Sequence, residues 1–124
     1  MEITRANFIR LTDHRPWGRF TILADEKDHK IKRITVNPGH RLSLQRHQHR
    51  SEHWLIVTGK GCVTLDNDLL QLNPGDSIDI EIGDVHRVQN DGDDDLIFIE
   101  IQRGNYFGED DIERLADDYG RKKT

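Results

Sequence analysis

Three side chains able to donate to a metal ion stand at every second position near the middle of the chain: Gln45, His47 and His49. On a strand they would share one face, because successive side chains alternate. Glu52 follows after a short polar interval, Gln48 to Ser51, that can turn the chain back. A further histidine, His86, lies between glycine-marked turns in a second stretch running from Gly75 to Asn90. Imidazole nitrogen, amide oxygen and carboxylate oxygen all suit a divalent cation of borderline or hard character. The pattern reads as one metal site on adjacent strands, with Gln45, His47, Glu52 and His86 as its ligands. Gln45 is the weaker donor of the four, since a neutral amide oxygen binds less well than imidazole. His49 competes for a ligand position and is placed behind the ligands or at the substrate. Zinc is the first choice of metal, with Mn, Co, Ni or Fe as alternatives. Arg50 and Arg87 each lie within two residues of a ligand, and a guanidinium fork matches phosphate bidentately.

The elements that must position these residues are short strands. Arg19 to Ala24 and His29 to Val36 alternate at period two around a polar turn, which predicts a hairpin. Asn37-Pro-Gly39 and Asn73-Pro-Gly75 are turns of one type, Pro presetting φ and Gly accepting a positive value. Trp54 to Val57 is a continuous apolar run, as for a strand buried on both faces. Ser77 to Ile82 alternates, and Leu96 to Gln102 is the last strand expected. Trp17, beside a Pro and a Gly, is read as a packing residue. After Glu109 the period changes: Ile112, Leu115, Ala116 and Tyr119 recur at three and four, which predicts a helix over 109–119. Acidic residues in its first turn and Gly120 after its end suit that reading. About nine strands and one helix make an all-β sandwich or barrel. The expected layout is one domain, 1–124, with an arm or swapped strand over 1–14, a barrel over 15–103 and the helix.

Two longer patterns carry a resemblance. Gly39, Gln45, His47, Glu52 and Gly59 reproduce the spacing G-x5-H-x-H-x(3,4)-E-x6-G of the cupin superfamily's first motif, with Gln45 in place of its first histidine. Gly75, Gly83, His86 and Asn90 fit the second motif, with Glu81 in place of its proline. The chain also resembles, more narrowly, the C-terminal cupin domain of type II phosphomannose isomerases. That likeness rests on Arg15-Pro-Trp-Gly18, the stretch from Leu42 to Arg50, Glu52-His-Trp54, His86-Arg87 and Tyr106 to Ile112. Glutamine at the first histidine position is that family's own pattern. The resemblance implies a double-stranded β-helix, or jelly roll, with a metal near one mouth. It implies interconversion of mannose 6-phosphate and fructose 6-phosphate through an enediolate. The family joins this domain to a mannose-1-phosphate guanylyltransferase, which the sequence in hand lacks, so a separate transferase is a candidate partner. The general base is not singled out; His49 and Glu100 are the candidates. Two other readings stay open. His47, His86 and Glu52 also make the two-histidine, one-carboxylate set of a non-haem iron oxygenase, and the domain could be a metallo-cupin that binds a sugar or nucleotide sugar without turnover.

The bulk properties narrow the field. A chain of 124 residues has room for one core. Its apolar content is 34% and its charged content 33%, so part of the core is expected to be completed across a homodimer, with residues 1–14 covering a neighbour's sheet edge. A net charge of −5 argues against nucleic acid, and any attraction for a sugar phosphate must be local. One cysteine, Cys62, gives no disulfide framework and fits a reducing compartment. No apolar run approaches a membrane span and Met1-Glu-Ile-Thr-Arg lacks a signal-peptide core, so the expected location is cytoplasmic.

Overall fold

The computed structural model describes residues 12–121, and within them every regular element is a strand. Eleven strands follow in order: β1 Thr12–Arg15, β2 Gly18–Asp25, β3 His29–Val36, β4 Leu44–Arg46, β5 Arg50–Thr58, β6 Gly61–Leu65, β7 Asp68–Leu72, β8 Ser77–Ile80, β9 His86–Gln89, β10 Leu96–Gly104 and β11 Glu113–Ala116. They form two antiparallel sheets, one in the order β1-β2-β3-β10-β5-β8 and the other β11-β4-β9-β6-β7. The connections are tight. Gly39 and Gly75, each after an Asn-Pro, take φ of 77° and 91°, a region that costs a residue with a Cβ.

Each sheet turns its alternate residues toward the other. Trp17, Phe20, Ile34, Trp54, Ile56 and Phe98 come from the first sheet and its turn, and Val63, Leu72 and Val88 from the second. Together they form one core, in which the Trp54 and Phe98 rings lie 4.8 Å apart. Burying each such side chain contributes about 1.5–3 kcal/mol. Trp17 is a packing residue, 6% exposed.

Two expectations are corrected. The run from Trp54 to Val57 is not buried on both faces: Trp54 and Ile56 point inward, while Leu55 is 41% and Val57 48% exposed. The predicted helix over 109–119 is not formed. Residues Glu113–Ala116 are instead strand β11, paired antiparallel with β4 through Glu113↔Arg46, Arg114↔Gln45 and Ala116↔Leu44. The cause is non-local. A helix of that length is marginal in water, whereas the open edge of β4 offers backbone partners. Side chains also tie the segment down, Arg46 to Glu113 and Arg41 to Asp118, each through two hydrogen bonds. Tyr119 packs against the core and bonds His40 Nδ1 at 2.8 Å. Of the expected N-terminal arm, residues 12–14 belong to β1, which pairs with β2 of the same chain; residues 1–11 lie outside the described part.

Candidate metal centre

The site sits where the two sheets face each other at one end. Glu52 points inward from β5, His86 from β9, and His47 directly follows β4. One ligand atom from each lies within 4.8 Å of the others, and all three residues are buried. His47 Nε2 is 3.2 Å from Glu52 Oε2 and His86 Nε2 is 3.8 Å from Glu52 Oε1.

The hydrogen bonds decide which ring nitrogens carry protons. His47 Nδ1 lies 2.8 Å from the Asp111 carbonyl oxygen and His86 Nδ1 lies 2.9 Å from the Asp84 carbonyl oxygen. A carbonyl only accepts, so each Nδ1 is the protonated nitrogen and donates. In the neutral rings both Nε2 atoms are then bare lone pairs facing a carboxylate. Burial favours those neutral rings: it pushes His47 down to about 4, with the Arg50 charge adding to the effect, and it lowers His86 as well. His86 Nε2 has no hydrogen-bond partner among the described residues although it is buried. Electron-rich atoms turned toward one another in a dry interior are stabilised by positive charge; Arg50 supplies it to Glu52 and His47, and His86 Nε2 is left without it. The donor set, the committed Nδ1 atoms and the orphaned Nε2 fit a divalent metal ion.

Around the three lies a layer of polar side chains. Trp54 Nε1 donates to Glu52 Oε1 at 3.0 Å and to Glu100 Oε1 at 3.3 Å, and Gln102 Nε2 donates to Glu100 Oε2 at 3.1 Å. Glu100 is thereby linked to Glu52 through one indole. Burial, and then the Glu52 charge, push its carboxyl up to about 7. Arg50 donates from Nε to Glu52 Oε2 at 2.9 Å, and its Nη2 lies 3.3 Å from His47 Nε2. Burial opposes its charge, but Glu52 and Glu100 hold its pKa above the usual value.

Gln45 is 8% exposed and faces inward, next to His86 in register, with its Oε1 accepting from Ser43 Oγ at 3.1 Å. It shares the wall of an open cavity with Arg50 and Glu100. Arg50 therefore touches both the cavity and the cluster. His49 is not brought in. Strand β4 ends at Arg46, the alternation ends with it, and His49 is exposed with its ring edge-on to Tyr106 at 5.9 Å. Arg87 is likewise elsewhere. It points away from the core on β9, donating from Nε to the Leu42 carbonyl at 3.0 Å and from Nη2 toward the Ala116 carbonyl at 3.5 Å. His53 is on the outer side, bonded to Asp79.

Two contributors lie within stretches that carry the resemblance, yet the sequence alone assigns them no role. Asp111 holds His47 by its carbonyl, while its carboxylate accepts from the backbone N–H groups of Gln48 and His49 at 3.0 Å each. In sequence it looks like an acidic residue of a helix start. Trp54 looks like one more apolar residue of its run; its inward alternation with Glu52 is the signal that could have found it.

Two facing sheets around an inward histidine–glutamate–histidine cluster define a cupin, a double-stranded β-helix. Solved structures agree on the fold. Capsular polysaccharide assembling protein CapF from Staphylococcus aureus has a TM-score of 0.75 at 23% identity, over 86% of this chain and 32% of that one. A mutant of Bacillus subtilis oxalate decarboxylase OxdC has 0.75 at 22%, over 88% and 31%. The model of the Mannose-6-phosphate isomerase C-terminal family matches residues 5–117, and the chain belongs to that family. Alginate biosynthesis protein AlgA of Pseudomonas aeruginosa is 49% identical over 87% of this chain. Mannose-1-phosphate guanylyltransferase of Escherichia coli K12 is 44% identical over 87%. The chain spans only 22% and 23% of the length of these two relatives. Among the described residues no helix is long and apolar enough to cross a membrane.

Proposed function

We propose that this domain is a metal-dependent aldose–ketose isomerase that interconverts mannose 6-phosphate and fructose 6-phosphate. The observation that carries the reading is Glu100, a buried carboxyl held near neutrality, on a cavity wall and one indole away from the proposed ligand Glu52. Isomerisation moves a proton between C1 and C2, and a group that titrates near the working pH can both take and return it. In its ionised form Glu100 accepts the proton from C2 of the open-chain aldose; in its acid form it delivers that proton to C1, while the hydroxyl proton of O2 passes to O1, leaving the carbonyl at C2. Trp54 and Gln102 fix its two oxygens, so the carboxyl need not reorient between the two steps. A divalent cation held by His47, Glu52 and His86, with Gln45 beside them, would supply Lewis acidity toward the oxygen on which negative charge develops. Arg50 donates to Glu52 and adds positive charge at the wall. Zinc is the first metal to test.

The relatives' names support a setting as well as a reaction. We place the domain alongside a mannose-1-phosphate guanylyltransferase, joined or separate, in a reducing cytoplasm that suits its single cysteine. A homodimer remains our proposal for the exposed apolar stripe at Leu55 and Val57; a monomer by light scattering at micromolar concentration contradicts it.

A coupled isomerase assay on metal-stripped protein, reloaded in turn with Zn, Mn, Co, Ni and Fe, tests the function. Turnover restored by one metal and lost with a chelator is the expected result. Tight sugar-phosphate binding without turnover under every metal would establish a binding module instead, and oxygen uptake with iron alone an oxygenase.

A further inference from the structure

The proposed substrate is an anion, yet neither arginine that the sequence offers for it is free. Arg50 is bonded to Glu52, and Arg87 faces outward onto two carbonyls. The cavity at the open end holds other cations: Arg15, Lys32, Arg114 and Arg121 line it together with Glu100 and Glu109. Counting ion pairs sorts them. Lys32 Nζ bonds Glu109 at 3.1 Å, and the Arg121 guanidinium is clamped by both oxygens of Asp117 at 2.9 Å. Arg15 and Arg114 form no ion pair among the described residues. Arg15 donates to the His14 carbonyl at 3.1 Å and lies over the Phe20 ring at 5.0 Å. Arg114 has a buried Nε with no hydrogen-bond partner among the described residues.

The position of Arg114 is set by the sheet. It pairs with Gln45, and Gln45 pairs with His86, so Arg114, Gln45 and His86 form one row across β11, β4 and β9. Two strand spacings put Arg114 and His86 roughly 10 Å apart along that row. A hexose 6-phosphate carries its phosphate at the far end of the carbon chain from C1 and C2, and Arg114 lines the same cavity as Glu100, with Gln45 standing between it and the ligand His86 in the row. The electrostatics agree. Burial holds Arg114 below its usual pKa, and Arg121 and Arg15 add to this while Asp117 and Glu109 oppose it, so a buried guanidinium stands there without a close carboxylate partner. A phosphate monoester close to a dianion at neutral pH relieves it.

We infer that Arg114 and Arg15 form the subsite that holds the phosphate of the sugar phosphate, with Arg114 Nε donating to it. The identity of the sugar rests on the isomerase reading; the capture of phosphate does not. The β11 segment thus has two duties at the open end, since its neighbour Asp111 holds His47 while Arg114 faces the substrate's other end.

The test is calorimetric titration of the chelator-treated chain with inorganic phosphate and with mannose 6-phosphate, so that no metal contributes. Arg114→Gln and Arg15→Gln are each expected to weaken both ligands roughly tenfold or more, since hydrogen bonds to charged groups are involved. Arg114→Lys retains charge without the fork and falls between. Arg87→Lys is expected to bind as wild type. Circular dichroism and thermal melting confirm folding, and if Arg114→Gln does not fold, Arg114→Lys and Arg15→Gln carry the test. Phosphate binding unchanged in the folded variants at both positions overturns the subsite, even if the reloaded protein isomerises. Weakened phosphate binding in a protein that isomerises under no metal upholds the subsite and removes the isomerase.

Discussion

Two neighbouring rungs of the larger sheet are built from the same strands and face the same interior, yet their composition is opposed. One rung runs Phe20, Ile34, Phe98, Ile56 across β2, β3, β10 and β5. The next, two residues along each strand, runs Ile22, Lys32, Glu100, Trp54. The first is closed hydrocarbon. The second buries Lys32, whose Nζ bonds Glu109, next in register to Glu100, each residue 5% exposed. Alternation dictates which residues face inward and says nothing about what they do there. Burying charge opposes folding unless the partners are well matched, and apolar replacements are often neutral or stabilising. A polar rung beside an apolar one therefore marks where stability has been set aside for chemistry.

The sharpest way to break the comparison is to empty the polar end. His47→Ala and Glu52→Ala are each expected to abolish stoichiometric metal, and activity with it, while the protein keeps its β-sheet circular dichroism. Elemental analysis of gel-filtered protein decides. Full occupancy in either variant would remove that residue from the ligand set. Gln45→Ala, which deletes only a neutral oxygen, should weaken metal less than His47→Ala does.

Within the rung, Glu100→Gln keeps the shape and the bond accepted from Trp54, and its new NH2 finds an acceptor if the Gln102 amide turns its free Oε1 inward, but it cannot carry the proton. We expect kcat to fall by roughly 10²–10⁴, with metal content intact and thermal stability equal to or above wild type. A variant with wild-type kcat would disqualify Glu100 as the base. The apolar rung should respond in the opposite sense. Phe98→Ala leaves a cavity against Trp54 and is expected to cost about 3–5 kcal/mol by denaturant unfolding, with metal still bound at low temperature. Metal loss without loss of stability would show that the two rungs are not separable.

The pH dependence of the metal-free protein refines the same contrast. Glu100 titrates near 7 in the fold against 4.5 for the ordinary carboxyl. A raised carboxyl favours the folded state at low pH, so its contribution is fully present below about 4.5 and is lost as pH rises through about 7. His47, lowered to about 4 from 6.5, works the other way, losing stability as pH falls across that window. The difference between wild type and Glu100→Gln isolates the Glu100 contribution together with its charge coupling to His47 and His86, whose pKa values the Glu100 charge raises. Relative to the variant, wild type should lose stability between pH 5 and 8. A difference that stays flat, or rises, contradicts the assignment.

Much of the centre was legible because it depends on spacing. A histidine two residues after Gln45, a glutamate at the head of β5 and a histidine opening β9 are set by local chain geometry, and the structure brings His47, Glu52 and His86 together. The departures share one cause. Extending the alternation of Gln45 and His47 puts His49 on their face, but β4 ends at Arg46 and His49 is exposed. Ile112, Leu115, Ala116 and Tyr119 have helical spacing, but the edge of β4, nearly 70 residues earlier in the chain, decides their conformation. Asp111 and Arg114 acquire their roles only through that pairing. No local pattern announces it.

The smallest effect concerns the arginine that spacing favoured and the fold turns outward. Arg87 follows His86 directly, so on a strand it must face the other way. Its guanidinium there ties the Leu42 carbonyl ahead of β4 to the Ala116 carbonyl at the end of β11. It acts as a clasp over the strands that carry the cavity wall, at a distance from the ligands' side of the sheet. Arg87→Ala should therefore lower stability by about 1 kcal/mol, the usual net worth of such bonds, visible as a modest drop in Tm. KM for mannose 6-phosphate should stay within about twofold, a difference under 0.5 kcal/mol. By contrast, Arg114→Gln should raise KM with little change in stability. If Arg87→Ala raised KM tenfold at unchanged Tm, phosphate would be read from the outer side of β9, and the division between the two faces of that strand would fail.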